Sequence, residues 1–185
     1  MATDDDLIAD AKNGDPDAWR ALYRAHAGRL LVWLETRGST DSIESAEDLA
    51  SEAWLTAASK LRTFHGTSSD FAGWLFGIAR HLAANSRRKS GRRRTSPSEH
   101  ADLVELGGSV PGPDSVVSGQ DWVRATLASL PSRERDVISC LEVVGLDVAA
   151  TAAALGTSTV SVRVTRHRAL KRLRATTPEP LPQLT

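Results

Sequence analysis

Apolar residues recur along the chain at helical spacing, in blocks separated by capping and turn residues. Thr3 can cap a first helix whose opening turn holds Asp4, Asp5 and Asp6, and Gly14 stops it. Asp15-Pro16 restarts a helix with an apolar face of Trp19, Leu22, Tyr23, His26, Leu30 and Trp33, and residues 38–41 read as a loop. Ser45-Ala46-Glu47-Asp48 has the form of a capping box, followed by a stripe of Leu49, Ala53, Trp54, Ala57 and Leu61. A Gly/Ser loop then leads into a helix from Asp70, with Phe71, Trp74, Leu75, Ile78 and Leu82 on one face. Along one edge of that helix His81, Asn85, Arg88 and Arg92 recur at helical spacing, a basic, amide-bearing edge suited to a polyanion.

Residues 95–119 break the pattern. They are rich in Ser, Pro and Gly and read as a flexible linker. Four short helical patterns follow, over residues 121–130, 132–144, 147–155 and 158–174. The last two, separated by Gly156 with Thr157-Ser158, describe a helix-turn-helix: Ala149, Ala152 and Ala153 allow close packing, and Val162, Ala169, Leu170 and Leu173 form the inner face of the second helix. The expected fold is therefore all-α, two small helical domains joined by a flexible linker, with boundaries at residues 1–94, 95–119 and 120–177 and a proline-rich tail over 178–185.

Composition alters this picture at few points. A hydrophobic content of 41% supplies a modest core for each domain. The formal net charge of zero conceals segregation: residues 1–60 carry 6 basic and 12 acidic side chains, residues 61–94 carry 8 and 1, and residues 132–177 carry 8 and 4. Such asymmetry favours polyanion partners for the basic blocks despite the neutral total. Cys140 is the lone cysteine and falls in an apolar pattern, which predicts a buried structural thiol. The N-terminus lacks a signal pattern and no apolar run approaches the ~20 residues that span a bilayer, so no membrane insertion and a cytoplasmic location are expected. Gly-rich phosphate loop, HExxH and nucleophile-elbow motifs are missing and the five histidines are scattered, so no metal, no cofactor and no enzymatic activity are expected.

Two sets of motifs carry a family resemblance. Ala46-Glu47-Asp48-Leu49, Ser51-Glu52-Ala53-Trp54, Phe64-His65-Gly66, Gly73-Trp74-Leu75 and the arginine cluster resemble region 2 of an extracytoplasmic-function (ECF) sigma factor. Leu130-Pro131-Ser132-Arg133-Glu134-Arg135, Ala154-Leu155-Gly156, Val162-Arg163 and His167-Arg168-Ala169 resemble sigma region 4. The resemblance implies an RNA polymerase sigma factor whose partners are core RNA polymerase, through the β′ clamp helices and the β flap, promoter DNA, and an anti-sigma factor.

The acids Glu47, Asp48 and Glu52 read by themselves as a solvated helix start. The resemblance makes them, with Trp54, the polymerase-docking residues. It likewise implies that His65, Gly66, Thr67, Ser68 and Ser69 form a pocket for a flipped base of the −10 element, with His81, Asn85, Arg88 and Arg92 along the strand. In the recognition helix it points to Thr159, Ser161, Arg163 and Arg166 toward bases of the −35 element and Thr165, Arg168 and Arg172 toward phosphates. Three residues depart from the family pattern: His81 where asparagine is usual, Arg166 at an ordinarily apolar position, and Thr151 in place of a branched apolar residue. A free-standing helix-turn-helix regulator is the alternative, and it leaves residues 46–94 without a role.

Overall fold

The computed structural model describes residues 4–37, 44–95 and 119–176. The Thr3 cap, the 38–41 loop, the linker interior and the tail lie outside the described residues. Among the described residues all regular structure is helical. The helices are α1 (Asp4–Lys12), α2 (Pro16–Arg37), α3 (Ala46–Lys60), α4 (Ser68–Thr95), α5 (Gly119–Ala128), α6 (Ser132–Ile138), α7 (Val148–Leu155) and α8 (Thr159–Thr176).

The punctuation residues act as their chemistry dictates. Ser45 caps α3 through the Asp48 N–H, and the Asp48 carboxylate accepts from the Ser45 N–H, completing the capping box. Asp147 caps α7 by accepting from the Ala150 N–H at 2.7 Å. Gly156 ends α7 with φ +61°, a left-handed backbone that a side chain would strain, and the Thr157 N–H closes the turn on the Ala152 carbonyl. Ser158 then accepts from the Ser161 N–H and starts α8. The expected 132–144 helix is two pieces: after Ile138 the chain widens into a π-helical turn over Ser139–Val143, which turns Ser139 and Cys140 fully inward.

In the N-terminal half, α2, α3 and α4 pack around Leu22, Leu30, Trp33, Ala53, Leu61, Phe71 and Phe76. Trp33 and Phe76 lie 5.3 Å apart, both without solvent exposure, and burying each contributes about 2–3 kcal/mol. The C-terminal half has two small cores of its own, one around Leu127, Leu130, Ile138 and Ala169 and one around Val137, Ala152 and Val162. Arg135 ties α5 to them by donating to the carbonyls of Leu127, Ala128 and Leu130.

The two halves also pack on each other. The α4–α7 contact is the most extensive between any two elements, and Cys140, Val144, Leu146, Ala150 and Ala154 join the N-terminal core. The face of α4 that meets α7 includes Gly73, where a Cβ would lie 2.8 Å from the Ala150 carbonyl oxygen and 2.9 Å from the Ala153 Cβ. Backbone approach there requires glycine. Arg29 donates to the carbonyls of Val144 and Gly145 at 2.7 and 2.9 Å. Arg37, with its side chain only 7% exposed, pairs with Asp136 at 2.6 Å and stacks over Trp33. The double coverage of α4 corrects the expected apolar stripe: Ala72, Phe76, Ala79 and Ala83 are buried beside Phe71 and Leu75, whereas Trp74, Ile78 and Leu82 are partly exposed. Among the alanines of α7, Ala150, Ala152 and Ala154 are buried, while Ala149 and Ala153 are exposed.

Two buried groups have shifted ionisation. Burial pushes the Cys140 thiol up to about 12, so it stays protonated and inert. Burial, with Arg29 nearby, lowers the pKa of His26 to about 4; the ring packs 5.6 Å from Phe71. Between that value and the unfolded 6.5 the unfolded chain binds the extra proton, so His26 stabilises the fold fully above pH 6.5 and progressively less as pH falls toward 4. A His26→Leu variant is expected to lose this component, about 3 kcal/mol between pH 7 and pH 4, in urea melts across that range.

Candidate nucleic-acid interface and docking surface

The loop before α4 is built around a cap. Thr67 donates its N–H and hydroxyl to the Asp70 carboxylate, both at 2.9 Å, and these bonds hold Asp70 below the usual carboxylate range. Thr67 is thus the N-cap of α4, and Ser68 and Ser69 belong to the helix's first turn, which corrects the expected start at Asp70. Of the predicted base pocket, His65, Gly66 and Thr67 form the exposed loop proper. Behind them stands an aromatic wall, with Phe64 packed 4.7 Å from Trp74 and 6.0 Å from Phe71. Gly66 touches that wall: an added Cβ would lie 2.8 Å from Phe64 Cζ and 2.9 Å from Asp70 Cβ. Gly66→Ala is therefore expected to displace the loop and weaken single-strand binding about tenfold with little change in melting temperature, read by fluorescence titration with a −10-type oligonucleotide.

On α4, His81, Asn85 and Arg88 are exposed, and Arg88 donates to the Asn85 side-chain oxygen. The Arg92 side chain lies outside the described residues. Asn85, Arg88 and Lys89 share a cleft of about 220 Å³ with Glu52 of α3.

The four predicted docking residues do not share one face. Glu47 and Trp54 line a groove of about 910 Å³ between α2 and α3, together with Trp19, Tyr23 and Leu55. Glu52 faces the α4 side, and Asp48 is engaged in its capping box. Tyr23, expected on the apolar face of α2, is 54% exposed at this groove; Leu55, 72% exposed, was assigned to no surface by the α3 stripe, although an apolar residue displaced from a stripe is the available signal.

In α8, Val162, Thr165 and Ala169 are buried, and Arg163 and Arg168 point to solvent. Thr159 and Ser161 are partly exposed at the helix start, where Arg133 of α6 donates to Ser161 Oγ at 2.9 Å. Arg166 is held by Glu142 at 2.6 Å and Arg172 by Glu134 at 3.1 Å, so both predicted contacts are already occupied on the protein. The exposed stripe of the helix instead runs through Val160, Arg163, Val164, His167 and Arg168. Among the described residues no cluster of potential metal ligands occurs, and no helix is long and apolar enough to cross a membrane.

Family models match both halves: Sigma-70 region 2 over residues 22–93 and Sigma-70 region 4 over residues 120–173. The SigD ECF RNA polymerase sigma factor of Mycobacterium tuberculosis is 34% identical over 177 residues, covering 92% of this chain and 82% of that protein. The chain belongs to the ECF RNA polymerase sigma factor family. ShbA of Streptomyces griseus, another ECF sigma factor, is 33% identical over 91% of this chain and 92% of its own length.

The fold of this sigma factor is also that of CnrH, solved in complex with the cytosolic domain of CnrY, with a TM-score of 0.64 at 23% identity over 93% of this chain and 95% of that one. It matches RpoE from Bartonella quintana, solved with the anti-sigma factor NepR, with a TM-score of 0.62 at 22% identity over 86% and 95%. Sigma factors are DNA-binding transcription-initiation factors, which accounts for two basic helices, α4 and α8, in one electrically neutral chain.

Proposed function

We propose that this sigma factor divides promoter recognition among three surfaces. Residues 1–94 dock on polymerase and hold the opened −10 strand, residues 95–119 connect, and residues 120–177 read the −35 duplex. The α2–α3 groove, with Glu47 at its rim and Asp48 and Glu52 on the adjoining face, receives the basic β′ clamp helices: apolar Trp54, Tyr23 and Leu55 supply contact area and the acids supply attraction. His65, Gly66 and Thr67 accept a flipped base, and His81, Asn85, Arg88 and Arg92 follow its strand. In α8, Arg163 and Arg168 are free of the ion pairs that hold Arg166 and Arg172 and therefore make the direct contacts with duplex DNA, while the β flap binds elsewhere on the C-terminal domain.

The observation that carries this reading is the presence in one chain of a capped glycine loop opening onto a basic helix and a helix-turn-helix with outward arginines. The protein acts in the cytoplasm, catalyses no reaction itself, and takes an anti-sigma factor as a further partner, as RpoE does.

The packing of the two halves adds a requirement. The −10 and −35 elements are separate sites along the promoter, and each intervening base pair adds about 3.4 Å. Here Arg80 and Arg87 of α4 line a single cleft of about 350 Å³ with Ser161 and Thr165 of α8. One rigid body in this arrangement does not span both elements, so holoenzyme formation separates the domains.

Run-off transcription with core polymerase tests the proposal. Promoter-specific transcript with no other factor added is expected; operator footprints by the chain alone, with no transcript, would sink it.

A further inference from the structure

Two apolar side chains on α8 have no part in any core. Val160 is 64% and Val164 is 44% exposed, whereas Val162 between them is completely buried. They sit four residues apart and so share one face. Valine is a poor choice for the outer face of a helix, because its branched Cβ restricts χ1 and its methyls gain nothing in water. A surface helix otherwise carries charged residues there, as α8 does at Arg163, His167, Arg168 and Lys171.

The two valines also border a shallow depression of about 370 Å³, walled by Arg133 and Arg168, by Ser158 and Ser161 at the helix start, and by Glu134, whose carboxylate is paired with Arg172. An apolar pair set among cations, hydroxyls and one carboxylate already neutralised by Arg172, at the N-terminal end of a recognition helix, matches the mixed chemistry of a major-groove floor. The apolar group in that groove is the C5-methyl of thymine.

We infer that Val160 and Val164 are specificity-determining residues that read thymine methyl groups in the upstream duplex, on either side of an arginine contact from Arg163. This deepens the proposed reading of α8 and rests on it. The two side chains are spaced by four residues, about 6 Å along the helix axis. The thymines they contact therefore lie one to two base-pair steps apart, on the same or opposite strands, with a guanine for Arg163 beside them. Neither Thr159 nor Ser161 supplies this discrimination, since a hydroxyl pairs with several base edges.

The test exploits the single atom group that separates thymine from uracil. Holoenzyme assembled from the full chain selects upstream duplexes from a randomised library. Each thymine of the selected sequence is then replaced singly by deoxyuridine, which removes one methyl and leaves the base pair. Loss of a buried methyl predicts about fourfold weaker binding at two positions and no change elsewhere. Val160→Ala and Val164→Ala should each abolish the thymine preference at one of those positions while leaving thermal unfolding unchanged, because both side chains lie outside the core.

Equal binding of thymine and uracil duplexes by the parent protein overturns the inference. Discrimination that survives both alanine variants also overturns it. Run-off transcription from the same duplexes keeps the two readings apart: transcript without methyl discrimination removes the valine assignment alone, and methyl discrimination without transcript removes the sigma reading while the valine contacts stand.

Discussion

A Glu52→Lys, Leu55→Asp double variant is expected to lose co-purification with core polymerase, with affinity reduced about 100–1,000-fold. The figure corresponds to about 3–4 kcal/mol at 1.4 kcal/mol per tenfold, within the 2–5 kcal/mol typical of disrupting a central charged contact. Both side chains are exposed, so neither substitution disturbs the core of α3. Asp48 is a poorer choice for this experiment. Its carboxylate accepts from the Ser45 N–H, and replacing it also removes half of a capping box, worth about 0.5–2 kcal/mol of helix stability. Circular dichroism melts should therefore coincide for the double variant and the parent, while pull-down by immobilised core polymerase separates them. Undiminished holoenzyme formation would refute the docking assignment for α3.

Gly73→Leu is expected to separate the two domains without unfolding either. Leucine at an exposed helical position is more favourable than glycine by about 1 kcal/mol, so α4 itself gains. The contact with α7 loses, because the backbone of Ala150 occupies the space a side chain needs. Overpacking of this kind costs about 1–3 kcal/mol, which raises the open population about 5- to 150-fold. Cys140 supplies a built-in reporter: it is the lone cysteine, fully buried, and in the shared core. Its thiol, pushed up to about 12 in the closed arrangement, returns toward the ordinary value near 8.5 once exposed. Labelling by a thiol reagent at pH 8 should accelerate in proportion to opening, and small-angle scattering should show a larger radius of gyration. A labelling rate equal to the parent's, at unchanged size, would mean that α4 and α7 accommodate the leucine without parting.

The helices were legible because their signals are local. Ser45 and Asp48 lie within one turn, and a cap needs nothing beyond its own few residues; the Thr67–Asp70 cap is as local, yet the helix it starts was expected to begin at Asp70. The helix-turn-helix was legible for the same reason, since Asp147, Gly156 and Ser158 each bond within four residues. The fate of the arginines in α8 was not. Arg163, Arg166, Arg168 and Arg172 are equivalent by composition and spacing, yet Arg166 and Arg172 meet Glu142 and Glu134, which are 24 and 38 residues away. The valines of α8 were passed over for a different reason: the helical pattern gave the inner face to Val162, Ala169, Leu170 and Leu173 and left Val160 and Val164 without a role, and only the structure shows how far both are exposed.

By itself, then, the sequence determined the all-α class, the order of helices, their caps, and the motifs that mark an ECF sigma factor. These depend on backbone hydrogen bonding and on periodicity over a few turns. The tertiary structure alone decided that α4 is covered on two sides, that Gly73 lies against the backbone of α7, that the predicted docking acids lie on different faces of α3, and which cations of α8 are held in ion pairs. Each of those depends on which distant side chain arrives at a given surface, and a one-dimensional pattern carries no record of that arrival.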